Sequence, residues 1–315
     1  MVQLILAAIL LATVLPVTGT ARIVAQSISD AAIFLLFLLH GLRLARAEVI
    51  AGLGNHRLLI PLVLWVFGAM SLAGWAMWRG SAGLVAPELA LGFLYLGVLP
   101  STVQSATAYT SLAGGNVASS VVAAALVNTL GVFIAAPLFA LLAGSAGGGL
   151  HTDTLIKIAT ILLLPFALGQ VLQRWARGWV IGHRRLTTWM DRSSIAIAVY
   201  VAFSSAVEQG IWSRIDPTAW SVILAGCAIL LGFGYGGAWL LGAVLRLVRG
   251  DRIAMLFAGA QKSIAIGAPL AVVLFPPAAV GTVLLPLLVY HLAQMVVAAP
   301  LAARLARGQA STISG

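Results

Sequence analysis

The stretch GAQKSIAIGAP, residues 259–269, places a single lysine inside an apolar segment and decides how this chain folds. Lys262 lies between Gln261 and Ser263, residues 253–275 are otherwise apolar, and no acidic residue occurs within ten positions on either side. An ionised side chain at the centre of a bilayer costs at least about 2.5 kcal/mol. A lysine retained in such a segment therefore indicates a functional polar site within a membrane helix.

The composition of the whole chain is that of a membrane protein. Hydrophobic residues make up 61% of the 315 residues, charged residues only 8%, and the mean hydropathy is +1.06. A helix needs roughly 20 apolar residues to cross a bilayer. Ten such stretches predict an all-α protein with ten spans, at residues 3–19, 28–45, 57–78, 88–113, 116–143, 153–173, 192–210, 218–246, 253–276 and 280–303.

The basic residues predict the orientation, because cytoplasmic loops are enriched in lysine and arginine. Of the 18 basic residues, 13 follow spans two, six and eight or lie in the C-terminal tail. These are Arg43, Arg46, Arg57, Arg174, Arg177, Arg184, Arg185, Arg192, Arg246, Arg249, Arg252, Arg304 and Arg307. Ten spans put all of these loops on one side, so both termini are expected in the cytoplasm.

Several classes of function are excluded by the same composition. The net charge of +10 is spread over short loops beside spans, which is typical of membrane orientation rather than of nucleic-acid binding. One cysteine, Cys227, permits neither an internal disulfide nor a cysteine metal cluster. No hydrolase, metalloprotease or nucleotide-binding motif occurs, and the acidic residues lie in loops or near span ends, so no enzyme is expected.

Ten spans divide into two five-span repeats, residues 1–150 and 151–315, which must be inverted relative to each other because five is odd. Inverted repeats are typical of secondary transporters, whose sites lie at broken helices in matching positions. Span four carries VLPSTVQSATAYTSLAGG with Pro100, and span nine carries GAQKSIAIGAP with Gly267 and Pro269 as helix breakers. The predicted central site joins Thr102, Gln104, Ser105, Gln261, Lys262 and Ser263, with Thr107 as a further candidate.

Other intramembrane polar residues leave alternatives open. Asn128 and Thr129, midway along span five, either contact the broken span four or hydrogen-bond a neighbouring helix. His291 and Gln294 lie three residues apart on one face of span ten. His291 is either a proton carrier or a neutral ring bonded to a carbonyl.

Four segments in the same order resemble the SBF-like branch of the bile acid:sodium symporter superfamily over essentially the whole chain. They are HGLRLARAEVIAGL, LPSTVQSATAYTSLAGGNVASS, AQKSIAIGAPLA and LPLLVYHLAQ. The resemblance implies a panel domain of spans one, two, six and seven and a core domain of spans three to five and eight to ten. It also implies that spans four and nine are unwound and cross at the centre, in a bacterial inner membrane.

In the sodium-coupled members of that superfamily, spans four, five and nine supply the cation ligands. By resemblance, Gln104, Ser105, Asn128 and Gln261 occupy ligand positions. Two positions depart from the pattern, because Phe257 replaces a glutamate and Lys262 replaces an asparagine. The lost anionic ligand and the added cation predict a degenerate sodium site. No cofactor is expected.

Two functions remain. The first is a secondary transporter for a small organic anion, in which Lys262 is either a fixed counter-charge or a proton-coupling group, and which does not require sodium. The second is a regulatory or scaffold membrane protein that keeps the transporter fold without net transport. A water-accessible cavity reaching Lys262 favours the first, and a dry packed core favours the second.

Overall fold

The computed structural model describes residues 2–43, 55–144, 156, 158–210 and 215–313, and this part of the chain is predominantly helical. Apart from an isolated bridge between Ala82 and Val85, no β structure occurs in these ranges. The predicted all-α class is confirmed. The helices are α1 (Val2–Val14), α2 (Gly19–Arg43), α3 (His56–Ser81), α4 (Pro87–Val98), α5 (Val103–Leu112), α6 (Val117–Ala143), α7 (Leu164–Gly182), α8 (Arg184–Glu208), α9 (Pro217–Val244), α10 (Arg249–Ala260), α11 (Ile264–Leu274) and α12 (Pro277–Ile313).

Six helical segments of the described chain are long and apolar enough to cross a membrane, which makes this an integral membrane protein. A seventh is counted if α4 and α5, bent by 61° at their junction, form one span. The six are Gly19–Arg43, His56–Ser81, Val117–Ala143, Pro217–Val244, Arg249–Leu274 and Pro277–Arg307. The predicted count of ten also includes α1, α7 and α8, which do not meet this criterion, so ten spans and an inverted repeat stay predictions.

Two expected boundaries are wrong. The first apolar stretch was expected to be helical to residue 19, but α1 ends at Val14 and Gly19 begins α2 with a φ of 59°. The spans predicted at residues 153–173 and 192–210 leave a connection between them, but residues 173–192 are helical except at His183, between α7 and α8. The helix α7 continues past its apolar stretch because the apolar and basic residues that follow alternate in the pattern of an amphipathic helix.

The helices group into two compact units. The first unit comprises Met1–Arg46, Gly144–Pro217 and Gly267–Leu284, and the second comprises Ala47–Ala143, Thr218–Ile266 and Leu285–Gly315. The units divide the chain differently from the predicted repeats at residues 1–150 and 151–315, since each unit draws on both halves. The repeat boundary stays a prediction.

In the first unit, α2 packs against both α7 and α8, and α1 packs against α8. Glycines set the approach of α2 to α7, because a Cβ added at Gly41 would overlap the Phe166 carbonyl. The side chain of Gln170 donates a hydrogen bond to the carbonyl oxygen of Gly41 across this contact. Arg43 and Asp191 form an ion pair between α2 and α8.

In the second unit, the ends of three helices meet at a buried carboxylate. Asp251, in the first turn of α10, accepts hydrogen bonds from Asn116 Nδ2 at 2.7 Å and Asn55 Nδ2 at 3.1 Å. The main-chain N–H of Asn116 also donates to the Gly250 carbonyl oxygen at 3.0 Å. These bonds fix the starts of α3, α6 and α10 to one another.

Candidate functional site

The first break in the site is at Pro100, between α4 and α5. A proline has no N–H and cannot continue the α-helical ladder. The chain becomes extended at Leu99, where ψ is 147°, and at Thr102, where ψ is 133°. The last carbonyl groups of α4 therefore have no partner in their own helix. Gly131 on α6 makes room for the proline, because a Cβ there would overlap the Pro100 ring.

The second break is at Gln261–Ser263, between α10 and α11, and it meets the first. The main-chain N–H of Ser263 donates to the carbonyl oxygen of Pro100 at 2.9 Å. The expected breakers Gly267 and Pro269 are instead inside α11, which begins at Ile264. The predicted position of the second break was therefore wrong by several residues. The break is at Gln261–Ser263 because side chains of another helix hydrogen-bond to the main chain there.

The Lys262 side chain enters the first break and is bonded to main-chain oxygens. Its Nζ donates to the carbonyl oxygens of Gly97 and Leu99, each at 2.7 Å, with Val66 at 3.5 Å. The residue is 0% exposed. Val66 lies in a π-helical turn of α3, a distortion frequent at functional sites. Three oxygens match the three donors of an ammonium group, so the charge is solvated by peptide dipoles.

Gln294 on α12 holds the main chain of the second break. Its Oε1 accepts from the Lys262 N–H at 2.8 Å, and its Nε2 donates to the Lys262 carbonyl oxygen at 3.2 Å. The same Nε2 is 2.8 Å from Nδ1 of His291. Tyr290 Oη donates to the Ala260 carbonyl oxygen at 2.6 Å. Residues from α12 thus replace the hydrogen bonds that the interrupted helix loses.

A polar cluster lies beside the lysine. Ser105 Oγ donates to Gln261 Oε1 at 2.5 Å, while Gln261 is 0% exposed. Two buried hydroxyl groups near the first break, Ser101 Oγ and Thr107 Oγ1, are among those that have no hydrogen-bond partner among the described residues. Buried polar groups are nearly always paired. Unpaired donors at the breaks are therefore candidate contacts for a ligand.

The structure brings some of the predicted site residues together and leaves others apart. Ser105, Gln261, Lys262, Ser263 and Gln294 are linked through the two breaks by the bonds described above. Gln104 is exposed, and Thr102, Asn128 and Thr129 are half-buried. None of these four forms a side-chain hydrogen bond with the rest of the site in the described ranges. The role of every residue in ligand binding stays a prediction.

Two contributors to the site were not expected from the sequence. Val66 supplies only a carbonyl oxygen, and its type gives no sign of that role. Tyr290, next to His291, donates to the Ala260 carbonyl oxygen. The sequence does not indicate this role, because an aromatic residue in an apolar helix is typical of core packing.

The polarity of the half-helices explains how the site treats charge. A helix carries partial positive charge at its N-terminus and partial negative charge at its C-terminus. The ends of α4 and α10 are C-termini, and the lysine ammonium lies at the end of α4. The N-termini of α5 and α11 adjoin the same breaks. A cation is therefore already in place, and the two N-termini favour an anion.

Two discontinuous helices that meet at a buried polar site within a set of apolar helices define a membrane transporter. The model of the SBF-like CPA transporter family matches residues 1–307, and the chain belongs to that family. Its members are transporters, so this chain is not an enzyme.

Relatives occur in bacteria and vertebrates. The uncharacterized protein PA2026 of Pseudomonas aeruginosa is 40% identical over 304 residues, covering 96% of this chain and 91% of that protein. YfeH of Escherichia coli, by its name a candidate symporter, is 37% identical over 301 residues, covering 95% of this chain and 90% of that protein. Sodium/bile acid cotransporter 7 of Mus musculus is 23% identical over 278 residues, covering 85% of this chain and 80% of that protein.

Proposed function

We propose that this protein is a secondary active transporter that moves a small organic anion by alternating access, with the Lys262 ammonium in place of a coupling sodium ion. The observation that carries the proposal is the ammonium itself, 2.7 Å from the carbonyl oxygens of Gly97 and Leu99 at the meeting point of two broken helices. Transport then does not require a sodium gradient.

Carbonyl oxygens are the ligands with which proteins replace the water around an alkali cation. The lysine ammonium is a monovalent cation tethered to the chain and uses the same kind of ligand. Phe257, at the position of the glutamate in the sodium-coupled relatives, is 0% exposed and stacks on Tyr109 with ring centroids 5.8 Å apart. A sodium ion would therefore lack an anionic ligand and would face a resident positive charge.

The anionic substrate is inferred from the electrostatics of the helix ends. The N-termini of α5 and α11 attract carboxylates or sulfonates. Thr102, which precedes α5, makes no side-chain capping bond, and its hydroxyl is free to bind a substrate oxygen. The name of the mouse relative describes a bile acid cotransporter, which supports an organic anion as the class.

The remaining parts of the proposal concern the architecture. Ten spans in two inverted repeats, residues 1–150 and 151–315, place both termini in the cytoplasm of a bacterial inner membrane. The bacterial relatives support this location. In the proposed mechanism, the core formed by spans three to five and eight to ten moves against the panel formed by spans one, two, six and seven.

Uptake by reconstituted protein tests the proposal. Thermal-shift screening against a panel of small organic anions, with taurocholate as the first probe, selects the ligand, and uptake of its labelled form is measured in liposomes. We expect uptake that is equal with sodium and choline outside and is abolished in Lys262→Ala. Uptake that strictly requires a sodium gradient would overturn the proposal.

One observation favours the alternative of a regulatory or scaffold protein without net transport. Lys262 is 0% exposed, which is the dry core expected for that function. The same liposomes decide between the two, because a non-transporting protein gives no protein-dependent uptake of any anion that stabilises it in the thermal-shift screen.

A further inference from the structure

The contacts of Gln294 determine the proton position on His291. A main-chain N–H can only donate and a carbonyl can only accept. Gln294 contacts both groups of Lys262, so its Oε1 must face the N–H and its Nε2 must face the carbonyl. The amide cannot be reversed without losing both bonds. Its second Nε2 hydrogen points at His291 Nδ1, 2.8 Å away, which must therefore be an acceptor.

The proton of the neutral imidazole is thus on Nε2, and the lone pair is on Nδ1. The ring is largely buried, since His291 is 7% exposed. A second proton can bind only at the Nδ1 lone pair, because Nε2 already carries one. The lone pair that would take the proton is the one that accepts the bond from Gln294.

We propose that His291 is a proton-binding site that couples protonation to release of the break at Lys262. A proton from water adds to Nδ1 and gives an imidazolium with an N–H on both nitrogens. Its Nδ1–H then faces the Nε2–H of Gln294, donor against donor. Gln294 must turn its Oε1 toward the ring, and both bonds to the Lys262 main chain are lost.

In the described part of the chain, no acidic side chain forms a hydrogen bond with His291, Gln294 or Lys262 that would compensate the new charge. The titratable side chains that bond to the main chain around Gln294 and Lys262 are Tyr109 on α5, Cys227 and Tyr235 on α9 and Tyr290 on α12. None of these four is a carboxylic acid. Lys262 is the basic residue whose main chain Gln294 holds. Protonation of His291 therefore adds a positive charge to the same break, which also favours its opening.

This inference deepens the proposed function, on which it rests for its physiological meaning, by naming the proton as the coupling ion. Lys262 supplies the positive charge at the carbonyl oxygens of the first break, while His291 supplies one that appears and disappears during a cycle. The neutral and the protonated state of the histidine correspond to a held and a released main chain at the same break.

The tautomer gives a test that needs no substrate. In protein labelled with ¹⁵N-histidine, His291 should have an unprotonated Nδ1 near neutral pH, with its signal assigned by its loss in His291→Asn. His40 and His183 are the internal controls, because Nδ1 of each lies 2.8 Å and 2.9 Å from a main-chain carbonyl oxygen and must be protonated. A protonated Nδ1 on neutral His291 would overturn the proposal.

Hydrogen exchange tests the coupling. The Lys262 amide should lose protection at least about tenfold as the pH falls from about 8 to about 4, after correction for intrinsic exchange. In His291→Asn, whose Oδ1 accepts the bond from Gln294 but does not titrate, the protection should change less than about twofold. His291→Gln is the second variant if the first does not fold, and His40→Asn is the control that should behave as the wild type.

The outcomes separate this inference from the proposed function. A pH-dependent break without any protein-dependent uptake supports the proton switch and contradicts transport. Uptake with a Lys262 amide whose protection is the same at both pH values supports transport and overturns the proton switch.

Discussion

The Nζ atom of Lys262 lies 2.7 Å from the carbonyl oxygen of Leu99, the residue that caps α4 one position before Pro100. A charge from one broken helix therefore satisfies the main chain of the other. The proline that creates the unpaired carbonyl groups and the lysine that pairs with them are parts of one arrangement.

Removal of the lysine charge should destabilise the protein. In Lys262→Met, the carbonyl oxygens of Gly97 and Leu99 stay buried without a donor, which costs about 1–3 kcal/mol for each group. The melting temperature of the purified protein should fall clearly, and Arg79→Met, on the exposed end of α3, should leave it unchanged. A melting temperature equal to that of the wild type would show that the lysine contacts carry little stability.

Sodium should stabilise a variant without the lysine but not the wild type. Lys262→Ala leaves carbonyl oxygens and space where the ammonium was, and a sodium ion can use those ligands. We expect sodium chloride to raise the melting temperature of Lys262→Ala relative to choline chloride at equal ionic strength. Stabilisation of the wild type by sodium but not by choline would contradict the view that the ammonium replaces the ion.

Gly131 should not tolerate a side chain. In Gly131→Ala, the new methyl group would overlap the Pro100 ring, and overpacking of this kind costs about 1–3 kcal/mol. Gly236→Ala is the matched control, because a Cβ at that position of α9 meets nothing within 4 Å. Thermal melting should separate the two variants, with the control equal to or above the wild type since alanine favours helix over glycine. Equal melting temperatures for both variants would contradict the close contact.

The carboxylate of Asp251 should be required for the packing of the second unit. Asp251→Ala removes the acceptor for Asn55 and Asn116, which costs about 1–3 kcal/mol if the amides stay buried. Glu88→Gln, on the exposed first turn of α4, should change stability by only a few tenths of a kcal/mol. Denaturation in detergent measures both, and a loss in the control as large as that in Asp251→Ala would refute a specific junction.

Reporter fusions test the predicted topology. Because 13 of the 18 basic residues fall on one side of a ten-span arrangement, both termini should be cytoplasmic. Alkaline phosphatase fused at either end should be inactive, and fluorescent protein at the C-terminus should be bright. Active alkaline phosphatase at one terminus and inactive alkaline phosphatase at the other would require an odd number of spans.

The sequence by itself determined the class of the protein and the elements of its site. Apolar runs of bilayer length require helices, since unpaired peptide groups are not tolerated in lipid. A helix breaker beside a polar stretch in span four and again in span nine predicted two breaks, and Pro100 gave the position of the first correctly. The spacing of three residues also predicted that His291 and Gln294 share one helical face, but their hydrogen bond is seen only in the structure.

Only the tertiary structure decided where the second break lies and what surrounds the lysine. Gly267 and Pro269 favour a break by their local chemistry, but the break is at Gln261–Ser263, because Gln294 and Tyr290 satisfy the main chain there. The ligands of the ammonium are carbonyl oxygens, which every residue carries, so no residue type marks them. Which carbonyls lack a partner depends on where helices end and on which neighbour reaches them, and that is settled by packing between segments far apart in the chain.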